Sequence, residues 1–262
     1  MKKVLFYPDP PVQLPGHSLS KTITYFTLIG YELTNDINDD WDIGVHWDIK
    51  DINETPPGLL KDERLVLNCN INDVTKSNVE RIFSETFGYS SLADTTKFGY
   101  CVRKGERQSA HDGKLVRIPC EKEKGYLYQL LIDNRMTLDM VYDIRIPIFL
   151  GKIPELFIKS KTIEGVFEDN LSKGKIYWMG KTEEYLSKEE IDNITSFSEK
   201  IGMDIGEIDA LRDNSTGKLY LVDVNNIPGA DVFKYIKDAD NVKLSLAFFL
   251  DEELSSITDT KT

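Results

Sequence analysis

The sequence predicts a fold of the mixed α/β (α+β) class, and two patterns support this prediction. Near the N-terminus, apolar runs at residues 3–7 and 42–49 flank a segment with helical spacing, which is typical of parallel strands joined by a crossover helix. Toward the C-terminus, the runs 207–213 and 219–225 alternate as strands do. The turn formers Asn214-Ser-Thr-Gly217 between them predict an antiparallel hairpin.

The first elements of the chain predict a small α/β lobe with a parallel sheet. After the strand at residues 3–7, apolar side chains recur at helical spacing between 19 and 29, and Gly30 is suited to end that helix. Two further apolar segments, 42–49 and 64–68, follow as strands. Strand, helix and strand joined by short links favour parallel pairing.

A second helix is predicted over residues 73–88. Its apolar side chains share one face, Ser77 and Glu80 have the spacing of a capping box, and Gly88 is suited to end it. Lys76 lies at the start of this helix, where free backbone N–H groups favour an anion. From the residues alone, Lys76 is either an anion-binding residue or an ordinary solvated charge.

The next segment predicts a flap over an anion. The strand 100–104 ends in a basic residue, the loop 105–113 lies between two glycines, and 114–118 returns as a strand. Glycines let backbone amides approach phosphate oxygens closely. The strand 126–132 that follows is apolar apart from Gln129. This side chain is either a binding residue or an amide that cross-links a core strand.

Two more strands and a helix lead into the C-terminal hairpin. Residues 143–151 and 153–161 are largely apolar runs that predict a second antiparallel pair. Ser187 and Glu190 have the spacing of a capping box, and the helix that they open ends at Gly202.

The hairpin itself carries an acidic face. Side chains two apart on a strand share a face, so Glu207 lies with Asp209, and Asp223 lies with Asn225. Folding the hairpin places Asp209 opposite either Val222 or Asp223. Carboxylates that close repel by roughly 4 kcal/mol at an effective dielectric of about 20, so they require a cation or a proton between them. This pattern fits a divalent metal that carries phosphates, or an ordinary acidic hairpin on the surface.

Composition narrows the class of partner. The 262 residues are 40% hydrophobic and 10% aromatic, which is enough apolar material for a large core. The net charge of −12 argues against general binding to nucleic acid or to an anionic membrane, because both would repel an acidic chain. We therefore expect neither kind of partner, and a local basic pocket would be informative.

The cysteines and the N-terminus favour a cytoplasmic protein. Cys69, Cys101 and Cys120 are odd in number and lack the pair spacing of a zinc site, so a disulfide framework is not expected. The apolar run that follows Met1 is too short for a signal peptide. No stretch of the sequence approaches the length that spans a bilayer.

The C-terminal hairpin resembles the metal-binding end of the ATP-grasp superfamily. The family pattern has an acidic residue on one strand, then Glu-x-Asn followed by Pro-Gly on the next. The matching residues here are Asp209, Asp223, Asn225 and Pro228-Gly229, with Asp223 in place of the more common Glu. The resemblance implies that Asp209, Asp223 and Asn225 bind the metal, and that the cofactors are ATP and Mg²⁺.

The resemblance also assigns roles to residues along the chain, in the order that the superfamily requires. It implies nucleotide-binding lysines at Lys76 and Lys104, with the loop after Lys104 as a mobile lid. Gln129 and the backbone of Leu130 and Leu131 match the segment that passes the adenine. The resemblance implies that Arg145 and Lys159 are catalytic residues that face the phosphates and the acyl group. It also implies that Lys159, Asp209 and Asn225 contact the nucleotide. Whether His111 and Lys161 take part in the site stays open.

The resemblance divides the chain into lobes. It implies an N-terminal Rossmann-like pre-ATP-grasp lobe at residues 1–70 and a central lobe with the phosphate lid at 71–128. A C-terminal lobe with the metal site follows at 129–255, and a tail at 256–262.

The closest branch in pattern is that of carboxylate-amine and peptide ligases, because Asp143-Ile-Arg145 enters a strand as it does there. This implies an enzyme that activates a carboxylate as an acyl phosphate with ATP and joins it to an amine or similar nucleophile. The substrate would be a small molecule or a peptide. Two alternatives stay open, namely a kinase acting on a small-molecule hydroxyl and a non-catalytic nucleotide-binding module. Relatives are often dimers, which makes a homodimer a further expectation.

Overall fold

The computed structural model describes residues 2–8, 20–60, 64–107, 112–163 and 176–259, which fold around three separate sheets. The first sheet comprises β1 (Lys3–Pro8), β2 (Glu32–Thr34), β3 (Ile43–Trp47) and β4 (Leu65–Leu67). Its strand order is β2-β1-β3-β4, and all its pairs are parallel. Helix α1 (Lys21–Leu28) follows the N-cap Ser20. The predicted parallel lobe is confirmed; its Rossmann-like character stays a prediction.

The second sheet is small and antiparallel. It comprises β5 (Gly99–Gly105), β6 (Lys114–Ile118) and β7 (Tyr126–Leu130), in the order β6-β5-β7. Cys101 and Tyr128 are buried in a local core on one face of this sheet. Val102 and Lys104 alternate with Cys101 along β5, so they point to the other face.

The third sheet is antiparallel throughout. It comprises β8 (Met140–Phe149), β9 (Glu155–Thr162), β10 (Ile176–Lys181), β11 (Ile205–Arg212) and β12 (Leu219–Asn225), in the order β10-β9-β8-β11-β12. Both predicted antiparallel pairs are present in it, as β8 with β9 and as β11 with β12.

Two helices cover one face of the third sheet and leave its other face for charged residues. They are α2 (Lys76–Phe87) and α4 (Lys188–Ile201). Phe83 of α2 and Phe197 of α4 are buried in one core with Ile146 and Ile208 of the sheet. Because side chains alternate along a strand, Arg145 and Asp209 point to the opposite face.

The remaining α-helices are α3 (Thr182–Tyr185) and α5 (Ala239–Asp259), and two short 3₁₀ helices lie at Pro57–Leu60 and Ala230–Lys234. Leu246 and Leu250 of α5 are buried in a core that also holds Phe26 of α1 and Phe149 of the third sheet. This core therefore joins the first sheet's lobe to the end of the third sheet. None of the helices that the structure describes is long and apolar enough to cross a membrane.

Of the two predicted capping boxes, one is present and the other is wrong. The Ser187 hydroxyl accepts the Glu190 N–H at 3.2 Å, and the Glu190 carboxylate accepts the Ser187 N–H at 2.9 Å. The box predicted for Ser77 and Glu80 does not form, because α2 begins at Lys76 after the N-cap Thr75. The buried Glu80 carboxylate instead accepts hydrogen bonds from residues that follow the helix.

Candidate active site

A cavity of about 660 Å³ lies between the second and third sheets. Every residue of the predicted site lines it: Lys76, Lys104, Gln129, Leu130, Leu131, Arg145, Lys159, Asp209, Asp223 and Asn225. Sequence reasoning missed most of its other lining residues, which include Val102, Asp112, Leu115, Asn134, Asp143, Ile163, Leu211 and Val222. The predicted residues are therefore brought together, while their roles stay predictions.

The cavity wall has two parts of different character. We call the first the charged part, made of Lys76, Lys104, Asp143, Arg145, Lys159, Lys161, Asp209, Asp223 and Asn225. We call the second the apolar part, made of Val102, Leu115, Gln129, Leu130, Leu131 and Ile132. The charged part comes mostly from the third sheet, and the apolar part comes mostly from the second sheet and the segment that follows it.

The β11–β12 hairpin brings its acidic residues face to face. Asp209 pairs with Asp223 and Glu207 pairs with Asn225, and a bulge after Asp209 leaves Val222 as the extra residue. The register left open by the sequence is therefore resolved in favour of Asp223. Burial raises the pKa of the Asp223 carboxyl, with the nearby Asp209 charge adding to the effect and lysines opposing it. A cation bound beside this pair would offset both the cost of burying the Asp223 charge and the repulsion between the two carboxylates.

Arg145 is the cation nearest to the acidic pair on the sheet. It pairs with Asp209 across β8 and β11, with its Nε 3.1 Å from the Asp209 Oδ1. Its Nη1 also lies 3.7 Å from the Glu207 Oε2. The Asp209 charge raises the pKa of the Arg145 guanidinium further above its ordinary value, although burial opposes this. Arg145 is therefore a fixed positive charge whose orientation two carboxylates hold.

Glu207 forms a buried ion pair and is not among the described residues that line the cavity. Its carboxylate accepts a hydrogen bond from the ammonium of Lys21, the first residue of α1, and both side chains are at most 2% exposed. Burial lowers the pKa of Lys21 to about 8, although the Glu207 charge opposes the shift. This pair links α1 to the third sheet across 186 positions of sequence, and no local pattern indicates it.

Lys159 and Lys161 flank the partly buried carboxylate of Asp143. The Lys161 Nζ lies 3.1 Å from the Asp143 Oδ2, and the Lys159 Nζ lies 4.0 Å from the same atom. Burial, followed by the nearby Arg145 charge, lowers the pKa of Lys159 to about 8. Burial alone would raise the pKa of Asp143, but the surrounding cations outweigh it and lower that pKa. Lys161 is therefore the closer ion-pair partner of Asp143, and the positive charge of Lys159 is less fully compensated by that carboxylate.

Lys76 is only 6% exposed, so it is a buried residue and not a solvated surface charge. Its ammonium donates a hydrogen bond to the backbone carbonyl of Arg107. The start of α2 does hold an anion, since the Glu106 carboxylate accepts the Ser77 N–H at 3.1 Å. Burial lowers the pKa of Lys104, which the Asp223 charge opposes. His111, whose part the sequence leaves open, lies outside the described residues.

The apolar part contains a buried side-chain oxygen for which the described residues offer no hydrogen-bond partner. The buried Gln129 side chain donates its Nε2–H to the Ser91 hydroxyl at 3.0 Å, while its Oε1 has no hydrogen-bond partner among the described residues. The Leu130 N–H donates to the Ser91 carbonyl at 2.7 Å, so this amide is already used. Leu131 lies beyond the end of β7, where its backbone is outside the ladder. At the place where the resemblance predicts the base, the side-chain oxygen without a described partner is therefore that of Gln129.

The predicted metal ligands suit a hard divalent cation. Within the part of the chain that the structure describes, no group of three His, Cys, Asp or Glu side chains is placed to hold a metal ion. The predicted set is of another composition, with carboxylates from Asp209 and Asp223 and an amide oxygen from Asn225. Oxygen ligands of this kind are what Mg²⁺ prefers in proteins. The donor set, two carboxylates and one amide oxygen, therefore fits Mg²⁺ by the chemistry of its atoms.

Sequence comparisons identify no relative of this chain. No protein-family model matches the sequence. No curated protein is significantly similar to it either.

Comparison with solved structures identifies the fold. A D-alanine–D-alanine ligase from Bacillus anthracis, complexed with ATP, matches with a TM-score of 0.58 at 13% identity, over 99% of each chain. The ATP-grasp ligase PsnB, complexed with a minimal precursor, Mg and ADP, matches with a TM-score of 0.57 at 10% identity, over 95% of this chain and 96% of that one. A RimK domain ATP-grasp protein from Sphaerobacter thermophilus DSM 20745 matches with a TM-score of 0.52 at 11% identity, over 97% of this chain and 99% of that one.

Two other PsnB complexes are matched over 73% and 75% of this chain but only 65% and 64% of their own lengths. Identities this low establish the architecture alone. The fold predicted from the C-terminal hairpin is confirmed, and this chain has the ATP-grasp fold.

Proposed function

We propose that this chain is an ATP-dependent ligase that activates a carboxylate as an acyl phosphate and joins it to an amine. The observation that carries the proposal is the charged part of the cavity. It gathers cations that are buried or partly buried beside the Asp209 and Asp223 pair, in a chain whose net charge is −12. Cations gathered in one cavity of an acidic protein favour an anionic ligand at that place. The paired carboxylates favour a ligand that arrives with a divalent metal.

The size and division of the cavity support a nucleotide. About 660 Å³ is within the range of roughly 300–1,000 Å³ that is usual for small-molecule sites. A nucleotide has an apolar base with a polar edge and a polyanionic tail, which matches the apolar part and the charged part respectively. In this pose the base edge faces Gln129 and Leu131, and the phosphates lie near Lys104 and Lys159.

Asp209, Asp223 and Asn225 would hold Mg²⁺, which when bound neutralises charge on the terminal phosphates. Arg145 is clamped by Asp209 and Glu207, so its guanidinium is preorganised to contact the oxygens of the transferring phosphoryl group. Lys159 adds a point charge from the neighbouring strand.

Two displacements complete the proposed reaction. A substrate carboxylate oxygen attacks the γ-phosphorus of ATP, which forms the acyl phosphate and releases ADP. An amine then attacks the acyl carbon, inorganic phosphate leaves, and the amine gives up a proton as the amide forms. Water must be kept from the acyl phosphate, which it would otherwise hydrolyse.

The proposed substrate is a peptide, with a small molecule as the other candidate. The support for a peptide comes from PsnB, a protein of the same fold that has been seen with its precursor peptide and AMPPNP at a TM-score of 0.53. The identity to PsnB is 10%, so the likeness supports the class of substrate and no particular sequence.

The test is a product assay on the full chain with Mg²⁺ and ATP, supplied with a panel of carboxylates, peptides and amines. A ligase yields ADP, inorganic phosphate and an amide in equal amounts, with the amide measured by mass spectrometry. ADP with a phosphorylated product and no amide would replace the ligase by the kinase. ATP binding without ADP release under every mixture would replace it by the non-catalytic module.

A further inference from the structure

The buried chain of hydrogen bonds behind the apolar part fixes the orientation of one amide. The Glu80 carboxylate is 5% exposed and accepts hydrogen bonds from the Ser91 N–H at 3.0 Å and from the Ser91 hydroxyl. The Ser91 hydroxyl is in turn 3.0 Å from the Gln129 Nε2. Ser91 is fully buried and Gln129 is 3% exposed, so solvent does not compete for these bonds.

The directions of these bonds follow from what each group can donate. An ionised carboxylate only accepts, so the Ser91 hydroxyl must give its single proton to Glu80. That hydroxyl then has only lone pairs left for Gln129 and must accept a hydrogen bond from it. The Gln129 amide therefore turns its NH₂ group toward Ser91 and its oxygen away from Ser91. The oxygen is the buried atom that has no partner among the described residues.

We infer that Glu80 and Ser91 are positioning residues that make this cavity select a 6-amino purine over a 6-keto purine, by holding the Gln129 oxygen as the acceptor. This inference rests on the proposed nucleotide function. The 6-amino group of adenine donates a hydrogen bond to the oxygen and satisfies it. The 6-keto oxygen of hypoxanthine or guanine opposes it with a second acceptor, and the amide cannot turn while Ser91 holds its NH₂ group.

Ser90 provides a matched control within the same cluster. Its hydroxyl also donates to the Glu80 carboxylate, at 2.6 Å, but Gln129 binds Ser91 and not Ser90. Ser90→Ala therefore removes a hydrogen bond of similar kind from the same carboxylate and leaves the orientation of the Gln129 amide unchanged.

The test measures the dissociation constants of ATP and ITP for the full chain by calorimetry, since ITP carries the 6-keto group. The ratio of the ITP constant to the ATP constant is expected to be roughly ten or more in the unaltered chain, because one unpaired buried acceptor costs about that factor. Ser91→Ala frees the amide to turn and should lower the ratio by roughly fivefold. Ser90→Ala should leave the ratio within about twofold of its original value.

Glu80→Gln is a second variant with the same expected direction, because a neutral amide at residue 80 can donate to Ser91 and let its hydroxyl turn toward Gln129. Thermal unfolding of each variant shows that the chain is folded before the ratio is measured. An unchanged ratio in Ser91→Ala and Glu80→Gln, or an equal change in Ser90→Ala, would overturn the inference while leaving the ligase proposal intact. Failure of the unaltered chain to bind either nucleotide would overturn both.

Discussion

The charged and apolar parts of the cavity are built in different ways, and the difference indicates what each can contribute. In the charged part, strands of one antiparallel sheet hold groups of opposite sign against each other, as in the contact of Arg145 with Asp209 at 3.1 Å. In the apolar part, one amide is held by neutral bonds within a hydrophobic wall. Charges fixed before a reaction stabilise charge that develops during it, whereas apolar contacts stabilise bound substrate and transition state alike.

The largest effect is expected from Asp223→Asn, which removes a proposed metal ligand from the charged part. Turnover of ATP should fall by roughly a hundredfold or more, because a bound metal contributes several kcal/mol to charge stabilisation. The fold should remain, since burial and the neighbouring Asp209 already disfavour the ionised form of Asp223. The measurement is Mg²⁺-dependent ADP release at saturating ATP.

Asp192→Asn is the matched control for this variant, because Asp192 is an exposed carboxylate on α4 outside the cavity. Its turnover should be that of the unaltered chain. If Asp223→Asn turned over ATP as fast as the unaltered chain, Asp223 would not be a ligand of the catalytic metal.

Arg145→Lys tests whether geometry matters in the charged part beyond charge itself. Lysine keeps the positive charge but loses the fork that contacts Asp209 and a transferring phosphoryl group together. We expect kcat to fall by roughly tenfold to a hundredfold with a smaller change in KM, measured by steady-state kinetics. Arg212→Lys changes an arginine of the neighbouring strand β11 that pairs with Glu190 at 2.8 Å outside the cavity, and should leave kcat unchanged. A similar loss in both variants would indicate a structural effect only.

Lys159 should make nucleotide affinity dependent on pH. Burial, then the neighbouring Arg145, lowers its pKa to about 8, below the ordinary 10.5, and binding to phosphate favours the charged form. Affinity for ATP is therefore fully present below pH 8 and is lost as the pH rises through 8. Between pH 7.5 and 9 the dissociation constant should rise by about eightfold, as calorimetry would show. Lys159→Arg keeps its charge in this range, so a slope that persisted in that variant would exclude Lys159 as its source.

The smallest effect is expected from Gln129→Leu in the apolar part. One hydrogen bond to the base is lost, so KM for ATP should rise by about fivefold while kcat stays within about twofold. Tyr128→Phe changes the neighbouring residue, which faces the core of the second sheet, and serves as the control. If Gln129→Leu lowered kcat as much as Arg145→Lys does, the apolar part would contribute to the chemical step as the charged part does, which would contradict the proposed difference between them.

Local patterns predicted those parts of the molecule in which neighbours in sequence determine the geometry. The turn formers between β11 and β12 predict the hairpin, and the alternation within each strand predicts that Glu207 shares a face with Asp209 and Asp223 with Asn225. The choice of Asp223 over Val222 as the partner of Asp209 depends on the register, which the structure supplies. The capping box at Ser187 formed as predicted for the same reason. These features depend on a few consecutive residues and on little else.

The sequence could not show the partners that come from distant elements. The sequence predicts only that Glu207 shares a face with Asp209, because its buried partner Lys21 lies 186 positions earlier. Glu80 had the spacing of a capping residue, but the segment after α2 folds back and offers it Ser91 instead. Strand β2 has three residues, which is too few for an alternating pattern to be recognised.

The most direct test of the account is a crystal structure of the chain with a non-hydrolysable ATP analogue and Mg²⁺. We expect the metal between Asp209, Asp223 and Asn225, the terminal phosphates within reach of Arg145 and Lys159, and the base against Gln129. A nucleotide bound elsewhere, or a metal that avoids Asp223, would contradict it.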